Sequence, residues 1–181
     1  MFTKNKNTLL KLSFVFVLFF TTSVSNAQIP HGETPYKWYN KQDLPLNTII
    51  LPNIDVTSLL AEDAVTEKHK DIPFRFAYAH QVNYNLLNSG TWINTKHGRL
   101  WRLRVKSANA HSLNVTFNKY KLIDGAKLFI YNDDKTYFIG SFTSKNNKQN
   151  EQLGSTPIPG DDIIIELYEP NNSTKSSMLE I

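Results

Sequence analysis

Between residues 90 and 142 the chain alternates apolar and polar side chains almost one for one. Trp101, Leu103 and Val105 are interleaved with Arg102, Arg104 and Lys106, the two-residue period of a strand with one dry face and one wet face. The same alternation returns at Leu113, Val115 and Phe117, then over residues 127–131, 137–142 and 163–168. Turn residues separate the runs: Asp124-Gly125, the polar stretch 132–135, and Pro157, Pro159 and Gly160. Short strands divided by turns at roughly eight-to-twelve-residue spacing imply an all-β chain folded as an antiparallel β-sandwich, jelly-roll-like in its connections. Residues 95–98 read as a hairpin turn with Gly98 at positive φ, so that Trp92 and Trp101 pair across it as core. Residues 112–120 are expected to form one strand, and 162–168, with three consecutive isoleucines, the most buried one.

The flanks differ in character. Residues 28–53 carry Pro30, Pro35, Pro45 and Pro52 among polar spacers, so an irregular N-terminal arm is expected, with Tyr36, Trp38 and Tyr39 needing cover. Asp55 can cap a short helix in which Val56, Leu59, Leu60 and Ala64 fall at helical spacing and Glu62, Asp63 and Glu67 form a solvated side. Converging metal ligands cannot be placed there. After Pro73 the chain reads as extended to Val82, with Phe74, Phe76 and Tyr78 on one parity and Arg75 and Ala77 on the other. The expected division is a leader at 1–27, an arm with one short helix at 28–73, and a β-sandwich domain at 74–181. Residues 178–181 read as the start of a further strand, so a domain truncated at its C-terminus is expected.

The leader has Lys4, Lys6 and Lys11, an apolar run over residues 12–20, and small residues at Ser25 and Ala27. This is the tripartite order of a secretory signal peptide, with cleavage between Ala27 and Gln28. Its apolar core of about nine residues is far shorter than the roughly 20 that span a bilayer, so the mature form is expected to be secreted, periplasmic or extracellular, without a membrane anchor. The whole chain has 20 basic and 16 acidic residues; three of the lysines leave with the leader, so 17 face 16 and the basic pI is a property of the leader. That balance gives no basis for a nucleic-acid partner. There is no cysteine, which removes thiol catalysis and thiolate metal sites and leaves an exported domain to be held by burial alone.

Catalytic patterns are missing from the sequence. His31, His69, His80, His97 and His111 have neither zinc-helix spacing nor a following acid, and no nucleophile elbow or phosphate-cradling loop occurs. No catalytic, cofactor-binding or metal-ligating residue is assigned and no cofactor is implied. The basic run Lys96, Arg99, Arg102, Arg104, Lys106, Lys119 and Lys121 admits two accounts: a row that binds a polyanion or acidic partner, or guanidinium stems lying along the wet face of a sheet and pairing with cross-strand acids, the simpler of the two. Tyr120, Tyr131 and Tyr168 would serve either as a sugar platform or, more simply, as half-buried core.

A set of segments resembles one family. GTW at residues 90–92, GRLWRLRV at 98–105, AHSLNVTF at 110–117, DGAKLFIY at 124–131, IGSF at 139–142 and GDDIIIELYEP at 160–170 occur in the order seen in the N-terminal pro-region of secreted lysyl-endopeptidase-like, trypsin-fold serine peptidases of bacteria. IDV and LLAED within 54–63 and PFRF at 73–76 are similar to the leader of those precursors, particularly from Bacteroidota. The resemblance spans nearly the whole mature chain. It implies a non-catalytic precursor segment that assists the folding or delays the activity of a serine peptidase domain, in cis if the chain is a fragment. The family's His, Asp and Ser triad lies in that separate domain, and none of its sequence blocks is present here, so no catalytic residue carries over. A free-standing envelope or extracellular β-sandwich that binds glycan or protein is the alternative.

Overall fold

The computed structural model describes residues 32–39, 44–69, 71–171 and 174–181. The leader and the Ala27/Gln28 cleavage position lie outside the described residues. A one-turn helix α1 (Tyr36–Tyr39), strand β1 (Asn47–Ile50) and helix α2 (Val56–Thr66) precede strands β2 (Thr91–Asn94), β3 (Gly98–Lys106), β4 (Ser112–Leu113), β5 (Thr116–Phe117), β6 (Lys119–Lys121), β7 (Lys127–Tyr131), β8 (Phe138–Phe142), β9 (Leu153–Gly154), β10 (Ile158–Pro159), β11 (Asp162–Pro170) and β12 (Met178–Glu180).

The alternation that dominates the sequence builds one six-stranded sheet, ordered β1-β3-β11-β7-β8 with β2 also on β3. Its spine is the antiparallel pair β3 and β11, in register from Lys106 opposite Asp162 to Gly98 opposite Pro170. β2 and β1 share the outer edge of β3, the first antiparallel along residues 99–102 and the second parallel along 103–106. Trp92 stands opposite Trp101 as the hairpin reading requires. One face of the sheet carries Trp101, Leu103, Ile163, Ile165, Leu128 and Ile130, all buried. Against it lies a second layer of three two-stranded antiparallel ladders, β4·β10, β5·β9 and β6·β12, which supplies Phe117, Tyr120, Leu153, Ile158 and Leu179. The fold is therefore an all-β, sandwich-like arrangement with a single main core.

Several expectations are corrected by this architecture. Residues 112–120 do not form one strand: β4, β5 and β6 each pair with a different partner, and the Val115 N–H donates to Ser155 Oγ at 2.8 Å instead of to a strand. Side-chain alternation reports which side is dry, not which backbone supplies the hydrogen bonds. The proline-rich arm contains β1, and this strand runs parallel to β3, an exception to the antiparallel expectation. α2 matches its expected start, with Asp55 Oδ1 accepting from Ser58 N at 3.1 Å, yet no residue of it is buried. Residues 73–83 form no regular element, and Tyr84 exchanges backbone hydrogen bonds with Ile181.

Gly98 is the remaining correction. The residues with φ in the left-handed region include Gly125 at 80° and Gly160 at 114°, but not Gly98. Its turn is closed by Thr95 N donating to Gly98 O at 2.8 Å, and glycine is needed for a different reason. A Cβ at position 98 would overlap the Glu169 carbonyl on β11 and come within 2.8 Å of the Tyr168 ring. Gly98→Ala should thus cost about 1–3 kcal/mol, as overpacking of a dense interior does, while Lys96→Ala in the same turn stays within about 0.5 kcal/mol. Urea unfolding of the two variants measures the difference, and equal midpoints would contradict this account of Gly98.

Candidate functional site

Two regions of the molecule hold chemistry that the main core does not explain: a polar cluster on the second face of the sheet, and a surface built by α2 and residues 73–80.

The second face carries Arg102, Arg104 and Lys106 of the basic row, whereas Arg99 shares the parity of Trp101 and Lys119 and Lys121 stand on β6. Arg102 stands directly opposite Glu166 in the β3–β11 ladder, and neither is wet: Arg102 is 3% exposed and Glu166 1%. The N-terminal arm covers them. Trp38 sets its ring edge against Phe138 at 4.9 Å and against Tyr131 at 6.1 Å, Arg102 Nη1 donates to the Leu44 carbonyl at 3.4 Å, and the Lys37 N–H donates to Glu166 Oε1 at 3.4 Å. The Tyr131 hydroxyl donates to Glu166 Oε2 at 2.8 Å and accepts from Arg102 Nη2 at 3.3 Å. Arg102 Nε lies 3.4 Å from Glu166 Oε2 without hydrogen-bond geometry, so that contact is electrostatic. Burial raises the Glu166 carboxyl above its ordinary value, outweighing the Tyr131 hydrogen bond and the Arg102 charge. Burial likewise raises the Tyr131 hydroxyl, with the Glu166 charge adding to it.

Apart from Lys96 in the hairpin turn, the rest of the row is matched by acids. Arg99 pairs with Glu169 at 2.6 Å and lies 4.1 Å over the Trp92 ring. Arg104 is bonded to Asp162 and pairs with Asp133 at 2.9 Å, Lys106 with Asp161 at 3.3 Å, and Lys119 and Lys121 with Glu151 at 3.5 and 3.1 Å. The simpler of the two accounts, stems along a sheet paired with acids, is the arrangement observed, except that the face around Arg102 is dry. The tyrosines do not assemble a platform either. Tyr120 and Tyr131 are fully buried, and Tyr168 stacks on Tyr36 at 6.4 Å while donating to the His97 carbonyl.

The second region is uncovered. Val56, Leu60 and Ala64 repeat every fourth residue along α2 and share an outer face; Leu60 is 63% exposed. Glu62 and Asp63 turn the other way, to Arg75, at 2.8 and 3.2 Å. That pairing ties the helix to a ribbon, residues 73–80, in which Phe74, Phe76 and Tyr78 are exposed, Phe76 to 91%. Leu59, Tyr78 and His80 line an open cleft of about 320 Å³ between helix and ribbon. Among the described residues no group of three or more His, Asp or Glu side chains converges for a metal. Of the sequence's histidines, His69, His80, His97 and His111 lie apart, no ring hydrogen bond is formed among them, and His80 instead sets its ring against Tyr78 at 5.1 Å.

Sequence periodicity missed the cluster and the exposure alike. A signal for the first was present: Glu166 interrupts the apolar run from Ile163 to Tyr168, and such a charge needs a buried partner. No protein-family model and no solved structure matches the chain.

Breaking one member of a buried ion pair leaves the other charge uncompensated, so Glu166→Leu should destabilise by about 3–5 kcal/mol. The double variant Arg102→Met/Glu166→Leu should lose less than either single change. Glu166 holds its proton more tightly folded than unfolded, where it titrates near 4.5. Its contribution is therefore complete below that pH and declines as pH rises through the higher folded value. The stability of wild type relative to the double variant should accordingly fall as pH rises above about 4.5. Urea unfolding across that range checks both statements; additive single losses or a pH-independent difference would contradict them.

Proposed function

We propose that this chain is a secreted, non-catalytic pro-region acting on a trypsin-fold serine endopeptidase, whose folding it assists or whose activity it delays by covering part of its surface. The observation that carries this reading is the unit formed by α2 and residues 73–80. It presents Leu60, Phe74 and Phe76 to solvent on a domain that otherwise covers both faces of its main sheet. Large apolar side chains left in water together on one helix-and-ribbon unit point to a protein partner. The ordered segments from GTW at 90–92 to GDDIIIELYEP at 160–170 support the choice of partner, since they resemble the pro-regions of lysyl-endopeptidase-like precursors. They also coincide with the framework: the segments at 98–105, 124–131, 139–142 and 160–170 fall on β3, β7, β8 and β11.

The alternative, a glycan-binding module, has less to stand on, because Tyr120 and Tyr131 are enclosed. The two are separated by one comparison. Purified mature chain should slow a lysyl-specific, trypsin-fold endopeptidase from the same genome at comparable concentration and raise its refolding yield, with no retention on polysaccharide columns. Retention on a polysaccharide together with an unaffected peptidase would overturn the proposal.

A further inference from the structure

From Phe74 to Ala79 the chain forms no helix, turn or bend, and no backbone N–H or carbonyl of these residues is hydrogen-bonded among the described residues. Phe74, Phe76 and Tyr78 are large, apolar and exposed, Ala77 and Ala79 between and after them are exposed too, and Arg75 is anchored to Glu62 and Asp63. A segment with these properties is a strand lacking its ladder: its main chain offers a row of alternating donors and acceptors, and its aromatics offer anchors at the two-residue period. An apolar surface alone would satisfy the rings and leave the backbone bonded only to water. What satisfies both is the exposed edge of another β-sheet.

Charge selects between the edges available. Residues 55–75 contain five acids, Asp55, Glu62, Asp63, Glu67 and Asp71, against Lys68, Lys70 and Arg75. A second copy would bring two acidic units together, which disfavours self-pairing, whereas a sheet edge flanked by lysines or arginines is complementary. We propose that residues 74–79 add as a strand to a basic-rimmed sheet edge of the peptidase domain, with Phe76 as the central anchor. This rests on the peptidase being the partner. It adds how the two recognise each other: through backbone pairing in one register instead of through side chains alone.

The test uses the mature chain and, as probe, the catalytic domain of a lysyl-specific trypsin-fold endopeptidase from the same genome, made inactive by replacing its nucleophile. Amide exchange is followed residue by residue. In the unbound chain the amides of residues 74–79 should exchange rapidly. In the complex every second one should be protected, either Phe74, Phe76 and Tyr78 or Arg75, Ala77 and Ala79, because one edge of a strand presents the N–H groups of alternate residues. Phe76→Ser, at a position already in water, should leave the unfolding midpoint unchanged and weaken the complex about tenfold or more. Binding should also weaken as salt is added. A complex that forms without alternating protection, with Phe76→Ser binding like wild type, overturns the strand addition and leaves the pro-region reading standing. Failure of the wild-type chain to bind the catalytic domain removes the partner, and the inference with it. A dimer of the mature chain that Phe76→Ser dissolves would overturn it differently, by assigning the ribbon to a second copy.

Discussion

Arg102 and Glu166 face each other across the two longest strands, with both charges withdrawn from water. Much of the molecule's organisation answers to this pair. A buried carboxylate and guanidinium are costly unless their remaining hydrogen-bonding capacity is met, and here it is met by Tyr131 from β7 and by the backbone of residues 37 and 44 from the arm. The arm is thus part of the domain: Trp38 closes the second face over Tyr131 and Phe138. An apolar pair at 102 and 166 would need cover but no hydrogen-bonding partners. The ion pair fixes register as well, since a shift of β11 by one residue would place Glu166 in the main core and a leucine or isoleucine against Arg102.

How far the sequence disclosed this depends on what each signal measures. Two-residue alternation identified β3, β7 and β8 and the buried run around Ile163, Ile164 and Ile165, because a sheet face must be dry on one side at least, but it merged β4, β5 and β6 into one strand. It could not separate Arg102 from Arg104. Both have the same parity, but the first lies under the arm and the second reaches Asp162 and Asp133 near the rim; what covers a face is decided by residues more than fifty positions away. The Asp55 cap was legible because it is local, one side chain accepting from the N–H three residues on. The use of the helix was not, because periodicity names an apolar face without saying what it meets. Gly98 shows the same limit: a turn was correctly placed, and the reason for glycine lay on a neighbouring strand.

The two faces of the molecule are treated unequally. The chain spends an arm of proline-rich sequence on covering a polar cluster, and leaves Val56, Leu60, Phe74 and Phe76 in water. Selection for solubility alone would reverse those choices. In the proposed role the contrast is ordered: the sandwich and its arm make a stiff base, and the unit of α2 and residues 73–80, tied to itself through Arg75, is held out for a partner. Loss of that unit would then remove function without removing the fold.

That separability is the central claim, and one measurement addresses it most directly. Residues 55–80 are replaced by a glycine–serine linker, and the resulting chain is compared with wild type for its urea midpoint and for binding to the inactive peptidase domain. The account predicts an unchanged midpoint together with lost binding. A chain that unfolds on replacement, or one that stays folded and binds as wild type does, would contradict it.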